Sequence, residues 1–398
     1  APPFAGGEVV TVDPYATVGV DPPWPWFGGV MVIPGAETLQ DRLWLRAEYL
    51  RWDTEGMTLP PLAATSPVPT PQSQAAVLGQ AGTAVLFGGQ EINGSAVNGL
   101  RALGGFWIRS DAAFGVESEY FGLASQNDSY LGSGDGTTIL GIPYFDVVAG
   151  AEASQLVSYP GVVSGSMQVA SNSELTSFLI NGRTALVPNV MPVVAGQADR
   201  VDWIIGYRYL DLDDQLTLGQ NLTPLGAAIP PGTRAIFDQF TTSNEFNGVQ
   251  LGINYQANFQ RVWLESILRI GVGNNTQKVS IAGSTSVTDG GTTNSFSGGL
   301  LAQQTNIGSY ERKQFTMIPE LGMTLGIRVT NWFQATIGYS LLYYPNVVRA
   351  GDQIDRDLNP NLFPLSANPP TGALRPAFSY VESDYWAQGI SLGGELRF

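Results

Sequence analysis

Polar and apolar residues alternate with a period of two over much of this chain, the mark of strands whose two faces meet unlike surroundings. From Arg42 onward Leu43, Leu45, Ala47 and Tyr49 share one face, with Trp44, Arg46 and Glu48 on the other. A looser segment runs from Leu100 to Arg109, and after Ser110-Asp111 a third sets Phe114, Val116 and Tyr120 opposite Glu117 and Glu119. A fourth strand is expected over Ser173 to Gly182, and a fifth places Val201, Trp203, Ile205, Tyr207 and Tyr209 against Asp202 and Arg208. Val249 to Phe259 and, after a tight reversal, Val262 to Val272 form a clean pair, the second carrying Glu265 and Arg269 on its polar face. Phe315 to Ile327 alternates with Glu320, Thr324 and Arg328, and Phe333 to Tyr343 with Gln334, Thr336 and Ser340. The last segment sets Ile390, Leu392, Leu396 and Phe398 against Ser391, Glu395 and Arg397. Pro319 lacks a ladder donor, so a β-bulge is expected there.

The links between these segments alternate in length. Stretches 53–99, 122–172, 213–244, 275–311 and 346–383 are long, those near 110, 260 and 330 are short, and 183–198 is intermediate. An all-β, antiparallel up-and-down transmembrane barrel, with short periplasmic turns and long extracellular loops, produces this alternation. The segments give about ten strands, or twelve if 140–158 or 160–170 adds a hairpin. Strands of about 10–14 residues outrun the 5–6 typical of soluble sandwiches and match a tilted membrane crossing.

The aromatics sharpen this reading. Laid in alternating directions, the strands put Tyr49, Tyr120, Tyr209, Phe315 and Tyr343 at the loop end of the apolar face, and Phe114, Phe259, Phe333 and Phe398 at the turn end. Two girdles flanking an aliphatic band are what interfacial rings prefer. The opposite face gathers Arg46, Glu48, Glu117, Glu119, Asp202, Arg208, Glu265, Arg269, Glu320 and Arg328, expected to line the lumen. So many ions fit an interior only if they are paired or wet. A barrel near ten strands is also narrow for an open channel.

Residues 1–41 show no sustained period and are rich in proline, glycine and tryptophan, as in Asp21-Pro22-Pro23-Trp24-Pro25-Trp26. They read as an extended segment ahead of a barrel domain spanning 42–398. The start Ala1-Pro2-Pro3 suits a mature form after signal-peptide removal. No run reaches the 18 apolar residues of a membrane helix, a test that barrels do not meet.

Composition then removes function classes. A net charge of −15, from 34 acids and 19 bases, argues against a nucleic-acid partner, because phosphate recognition needs clustered Lys and Arg. With no histidine and no cysteine, neither the commonest general base nor a thiolate nucleophile or metal ligand exists. The chain is therefore not expected to be an enzyme, nor to carry a cofactor. Asp352, Asp355 and Asp357 offer the hard oxygen ligands calcium takes, although the glycine and distal glutamate of an EF-hand loop are missing. Asp211, Asp213 and Asp214 form a similar group at a strand exit. Acidic loops are more often simply solvated.

Several motifs carry a family likeness: Trp44-Leu45-Arg46-Ala47-Glu48-Tyr49-Leu50-Arg51-Trp52, Met57-Thr58-Leu59-Pro60-Pro61-Leu62, Thr65-Ser66-Pro67, Gly206-Tyr207-Arg208-Tyr209-Leu210, Gly299-Leu300-Leu301-Ala302-Gln303, Asn306-Ile307-Gly308, Val347-Val348-Arg349-Ala350-Gly351-Asp352-Gln353-Ile354-Asp355 and Trp386-Ala387-Gln388-Gly389. As a set they resemble the beta-barrel porin-7 family of planctomycete outer membranes, over most of the chain after about residue 42. The resemblance implies a bacterial outer-membrane barrel and brings no substrate or functional residue. The expected function is porin-like passive diffusion of small solutes. The rival is a structural or adhesive surface barrel whose loops and N-terminal segment bind envelope proteins. Expected partners are outer-membrane lipid, the assembly machinery that reads a terminal strand ending in Phe398, and further copies of the chain or other envelope proteins.

Overall fold

A computed structural model describes residues 42–108, 113–190, 199–226 and 232–398, without the side chains of 187–190. The expected N-terminal segment, 1–41, lies outside the described residues. Ten strands build the barrel: β1 Leu43–Thr54, β2 Val97–Trp107, β3 Phe114–Leu123 with its continuation Gln126–Gly134, β4 Val163–Val190, β5 Asp199–Pro224, β6 Thr233–Phe259, β7 Val262–Asp289, β8 Gly308–Arg328, β9 Phe333–Val347 and β10 Ser383–Arg397. Each pairs antiparallel with its sequence neighbour, and β1 pairs with β10 from Trp44↔Arg397 to Thr54↔Ala387, closing the ring. Closure removes the free edges that an open sheet would expose to lipid.

The hairpin expected within 140–158 exists, as Leu140–Asp146 and Ala151–Ser158, but stands outside the ring, so the barrel has ten strands and not twelve. It joins Ala63–Thr65, Ala84–Phe87 and Asp357–Leu358 in a small sheet drawn from three different loops.

Strands β4 to β7 are far longer than the sequence suggested. They run 26 to 28 residues, and the stretches 213–244, 275–311 and 122–172, expected as loops, are largely strand. At ~3.3 Å per residue such a strand covers roughly 90 Å, nearly three times what a tilted membrane crossing of about 10 residues requires. Their faces explain the difference. On β5 the exposed positions Trp203, Ile205 and Tyr207 are apolar and point outward, whereas from Leu210 the apolar residues Leu210, Leu212, Leu216, Leu218 and Leu222 are buried inside. Asp213, Gln215 and Asn221 take the exposed face in that upper stretch. The lower part of each long strand is therefore built for lipid and the upper part for water, with its own apolar interior.

No bulge interrupts β8 at Pro319, contrary to expectation: Ile270↔Pro319 sits in an unbroken register with β7. The ladder from β8 to β9 starts at Glu320↔Leu342, so the proline stands where that ladder ends and its missing donor costs no bond there. Above it the free side of β8 is covered by the 348–382 loop, where Tyr310 stacks on Phe378 at 3.6 Å and Arg312 lies 4.0 Å from the Tyr380 ring.

Candidate functional site in the barrel interior

The interior is filled in three layers. The lowest lies level with the outward apolar belt and consists of ions. Arg269 on β7 places Nη1 2.8 Å from Oε2 of Glu119 and 3.7 Å from Oε1 of Glu320, and Nη2 3.5 Å from Oε1 of Glu117. Arg183 bridges Glu117 at 3.0 Å and Asp202 at 2.8 Å, Arg101 bridges Glu48 and Glu119 at 3.3 Å each, and Arg208 meets Glu320 at 2.7 Å. Arg200 also reaches Asp202, at 2.7 Å. A second group links Arg46 to Glu265 at 2.9 Å and to Glu395 at 2.6 Å, and Arg397 to Glu395 at 2.6 Å. Among the described residues seven arginines face seven carboxylates, so the layer neutralises itself. Desolvating these groups is costly and breaking one pair would strand a buried charge, so the layer is stable as a set. Rings brace it: Arg46 lies over Trp263, Arg101 over Trp52 and Phe121, and Arg200 over Trp107 at 3.9 Å.

Above the ions lies an apolar layer. Leu50, Trp52, Phe121, Leu175, Phe246 and Tyr344 are its larger members, and every strand but β7 contributes to it. The third layer is the core of the extension. Met57, Leu59, Leu62, Ile142, Leu300, Leu301 and Val348 descend from the loops onto Met167, Val169, Leu216, Phe240 and Ile281 of the walls.

Polar anchors fix the loops in this core. Arg349, buried, pairs with Asp214 at 2.5 Å and donates to the Gly56 carbonyl at 3.3 Å. The Asn244 amide donates to the Val348 carbonyl at 2.8 Å while its Oδ1 accepts from the Val348 N–H at 2.8 Å, copying a β-bridge with a side chain. The Asp238 carboxylate accepts the N–H groups of Leu300, Leu301 and Ala302 at 3.2, 3.0 and 2.7 Å. Burial pushes the Asp238 carboxyl up to about 7, against the pull of those three donors.

Of the lumen candidates, Arg46, Glu48, Glu117, Glu119, Asp202, Arg208, Glu265, Arg269 and Glu320 stand in the ion layer. Arg328 does not: it sits at the turn end, where Nη2 donates to Asn258 at 2.7 Å and Nη1 to the Gln260 carbonyl. Sequence reasoning missed Arg101, hidden in the glycine-rich β2, and Arg183, assigned to a link although it continues the inward phase of Ser177, Leu179 and Asn181. Tyr49, Phe315, Tyr343 and Phe398 are exposed, and Tyr209, Phe259 and Phe333 are half-buried.

The expected calcium triad is not assembled. Asp355 is taken by Arg375 at 2.7 Å and by the N–H groups of Ala377 and Asp357 at 2.8 and 3.0 Å. Among the described residues no three acidic side chains converge as metal ligands, the Asp211, Asp213 and Asp214 group included. Alternate strand positions point those three carboxylates to opposite sides of the wall.

A closed antiparallel ring with apolar residues outward and ions inward defines a transmembrane β-barrel of the outer-membrane class. The chain belongs to the family described as "Putative beta barrel porin-7 (BBP7)", whose model matches residues 44–398. Its place is the outer membrane. No curated protein sequence matches it. Among solved structures it is similar to the outer membrane protease OmpT from Escherichia coli, at 10% identity and TM-score 0.39, covering 91% of this chain and 99% of that one. A Pseudomonas aeruginosa FadL homologue matches at 8% identity and TM-score 0.24, over 90% of each chain. Likeness this distant transfers no activity.

Proposed function

We propose that this protein is a closed surface barrel of a bacterial outer membrane, whose ring serves as anchor and whose loop-packed extension is a rigid platform for contacts with other envelope components. One observation carries the reading. A water-filled pore leaves its lining accessible, yet Arg208, Gln250, Trp263 and Glu395 in the lower interior, and Phe246 and Tyr344 above them, are 0% exposed. Passive diffusion of small solutes, which the family's name suggests, would need a path through both the ion layer and the apolar layer. The reading is non-enzymatic, since the interior offers carboxylates and guanidinium groups whose charges are already paired with one another. The envelope partner is an accessory protein or a further copy of the chain.

Single-channel recording on the purified protein in planar bilayers tests this. The expected result is insertion without stepwise conductance, together with cross-linking to envelope proteins from photoreactive residues placed on the extension, for example at Leu131, which is 76% exposed. Regular conductance steps from the unmodified protein would overturn the closed reading and return the diffusion function.

A further inference from the structure

Above the apolar belt the outer wall of the extension changes its chemistry from row to row across the sheet. The two lowest rows are charged, with Asp211, Glu245 and Lys313 in one and Glu174, Asp213, Lys278 and Glu311 in the next. The four rows above them, from Gln215↔Thr241 up to Asn221↔Ala235, carry no charge. They cross the continuation of β3 and strands β4 to β7. Apart from Leu131 and Phe237 they hold only serine, threonine, asparagine, glutamine, alanine and glycine. At the usual spacing of strands and of alternate residues this neutral face measures roughly 20 Å by 20 Å.

One row has a notch. It runs Leu131–Gln168–Gly219–Phe237–Ser284, and no heavy atom lies within 4 Å of the place a Cβ on Gly219 would take. Phe237, 40% exposed, stands on one side of this open floor and Gln168 on the other, with Thr217 and Asn221 the next outward residues along β5. The amides of Gln168 and Asn221 are exposed and have no hydrogen-bond partner among the described residues. The Thr217 hydroxyl donates to the Ala170 carbonyl at 3.3 Å and keeps its acceptor capacity.

These groups match one kind of ligand. A pyranose ring has an apolar C–H face and a rim of hydroxyls, so it can lay that face on an aromatic ring while its rim meets amides that both donate and accept. An acidic polymer would find no cation in these rows. A protein partner fits poorly as well, because interface cores gather aromatics, methionine and arginine and are depleted in serine and alanine. The flat neutral surface around the notch lets a chain of sugars make repeated weak contacts.

We propose that the outer face of the extension is a binding surface for a neutral cell-surface polysaccharide, with one sugar ring seated over Gly219 against Phe237. This goes beyond the anchoring role and holds whether or not the barrel conducts.

The test is affinity electrophoresis of the full-length protein, in a detergent without a sugar headgroup, through native gels containing neutral glucans, mannans or galactans, or acidic alginate. At least one neutral polysaccharide is expected to retard the unmodified protein, alginate is not, and raised salt should leave the retardation unchanged. Phe237→Ala should weaken binding roughly ten-fold. Gly219→Val should do the same by filling the notch, and it suits a strand and meets no neighbour, so heat-modifiable migration should show it folded. Retardation by none of the neutral polysaccharides, equal retardation by alginate, or unchanged binding in both variants would overturn the site. Concentration-dependent dimers in sugar-free gels that Gly219→Val abolishes would overturn it in favour of a second copy of the chain.

Discussion

Arg269 on β7 reaches across the barrel to Glu119 on β3, 2.8 Å between Nη1 and Oε2 and 150 residues apart in sequence. No neighbouring-strand ladder creates this contact. It exists because both side chains are the inward ones of strands that ring closure brings face to face, and because Glu117 and Glu320 share the same guanidinium.

Replacing Arg269 by methionine therefore does more than remove one ion pair. Three carboxylates lose a shared counter-charge in a buried layer, which is expected to cost ~3–5 kcal/mol. Restoring neutrality with Glu119→Gln in the same chain should recover a large part of it, because the double variant removes one charge of each sign. Denaturant unfolding in phospholipid vesicles measures both. A double variant no more stable than the single one would show that the layer is not coupled in this way.

The belt and the extension make opposite demands on outward residues. Leu321 lies on β8 between Phe315 at one interface and Ile327 near the other, and is 49% exposed. Arginine there would stand near the middle of the hydrocarbon and cost ~2–4 kcal/mol. Gln215 is outward on β5, above the point where the apolar phase reverses. Arginine at 215 faces water and should change stability by less than about 0.5 kcal/mol. Equal penalties at the two positions in vesicles would refute the division of the strands into a lipid-facing and a water-facing part.

That division also explains what was legible in the sequence. Ring, strand number and the inward ions were readable because within the belt one period and one phase persist: odd positions from Trp203 to Tyr207 outward, Asp202 and Arg208 inward. The upper strands were lost because the strand continues while its apolar residues change parity, from Tyr207 outward to Leu210 inward. Read as a membrane pattern, the change looks like a strand ending. Read as backbone geometry, it is the same strand leaving lipid. The filled interior was not readable, since the polar lower face of β6 and β7 is compatible with water or with counter-ions. Only the three-dimensional convergence of Arg101, Arg183 and Arg269 on Glu117 and Glu119 decides for the latter. The calcium reading failed for a related reason, because sequence spacing could not reveal that Arg375 takes up Asp355.

The last prediction concerns pH and the third layer. Asp238 lies above the belt with its carboxylate wholly buried under the 299–303 turn, holding the N–H groups of Leu300, Leu301 and Ala302. Burial raises its folded-state value to about 7, above its ordinary value of 3.8, so between these two the folded chain binds a proton that the unfolded chain has released. Stability from this site is then fully present below the ordinary carboxylate range and is lost as pH rises through about 7. Hydrogen exchange of residues 299–303 between pH 5 and pH 8.5, corrected for the intrinsic rate, should show protection falling from pH 5 to about 7 and levelling off above it. Asp238→Asn removes the titrating group: its protection should be lower at pH 5, where the carboxyl docks the turn best, and flat across the range. A pH-independent profile in the unmodified protein would mean that the three amide donors hold the carboxylate charged throughout, and that burial does not dominate at this site.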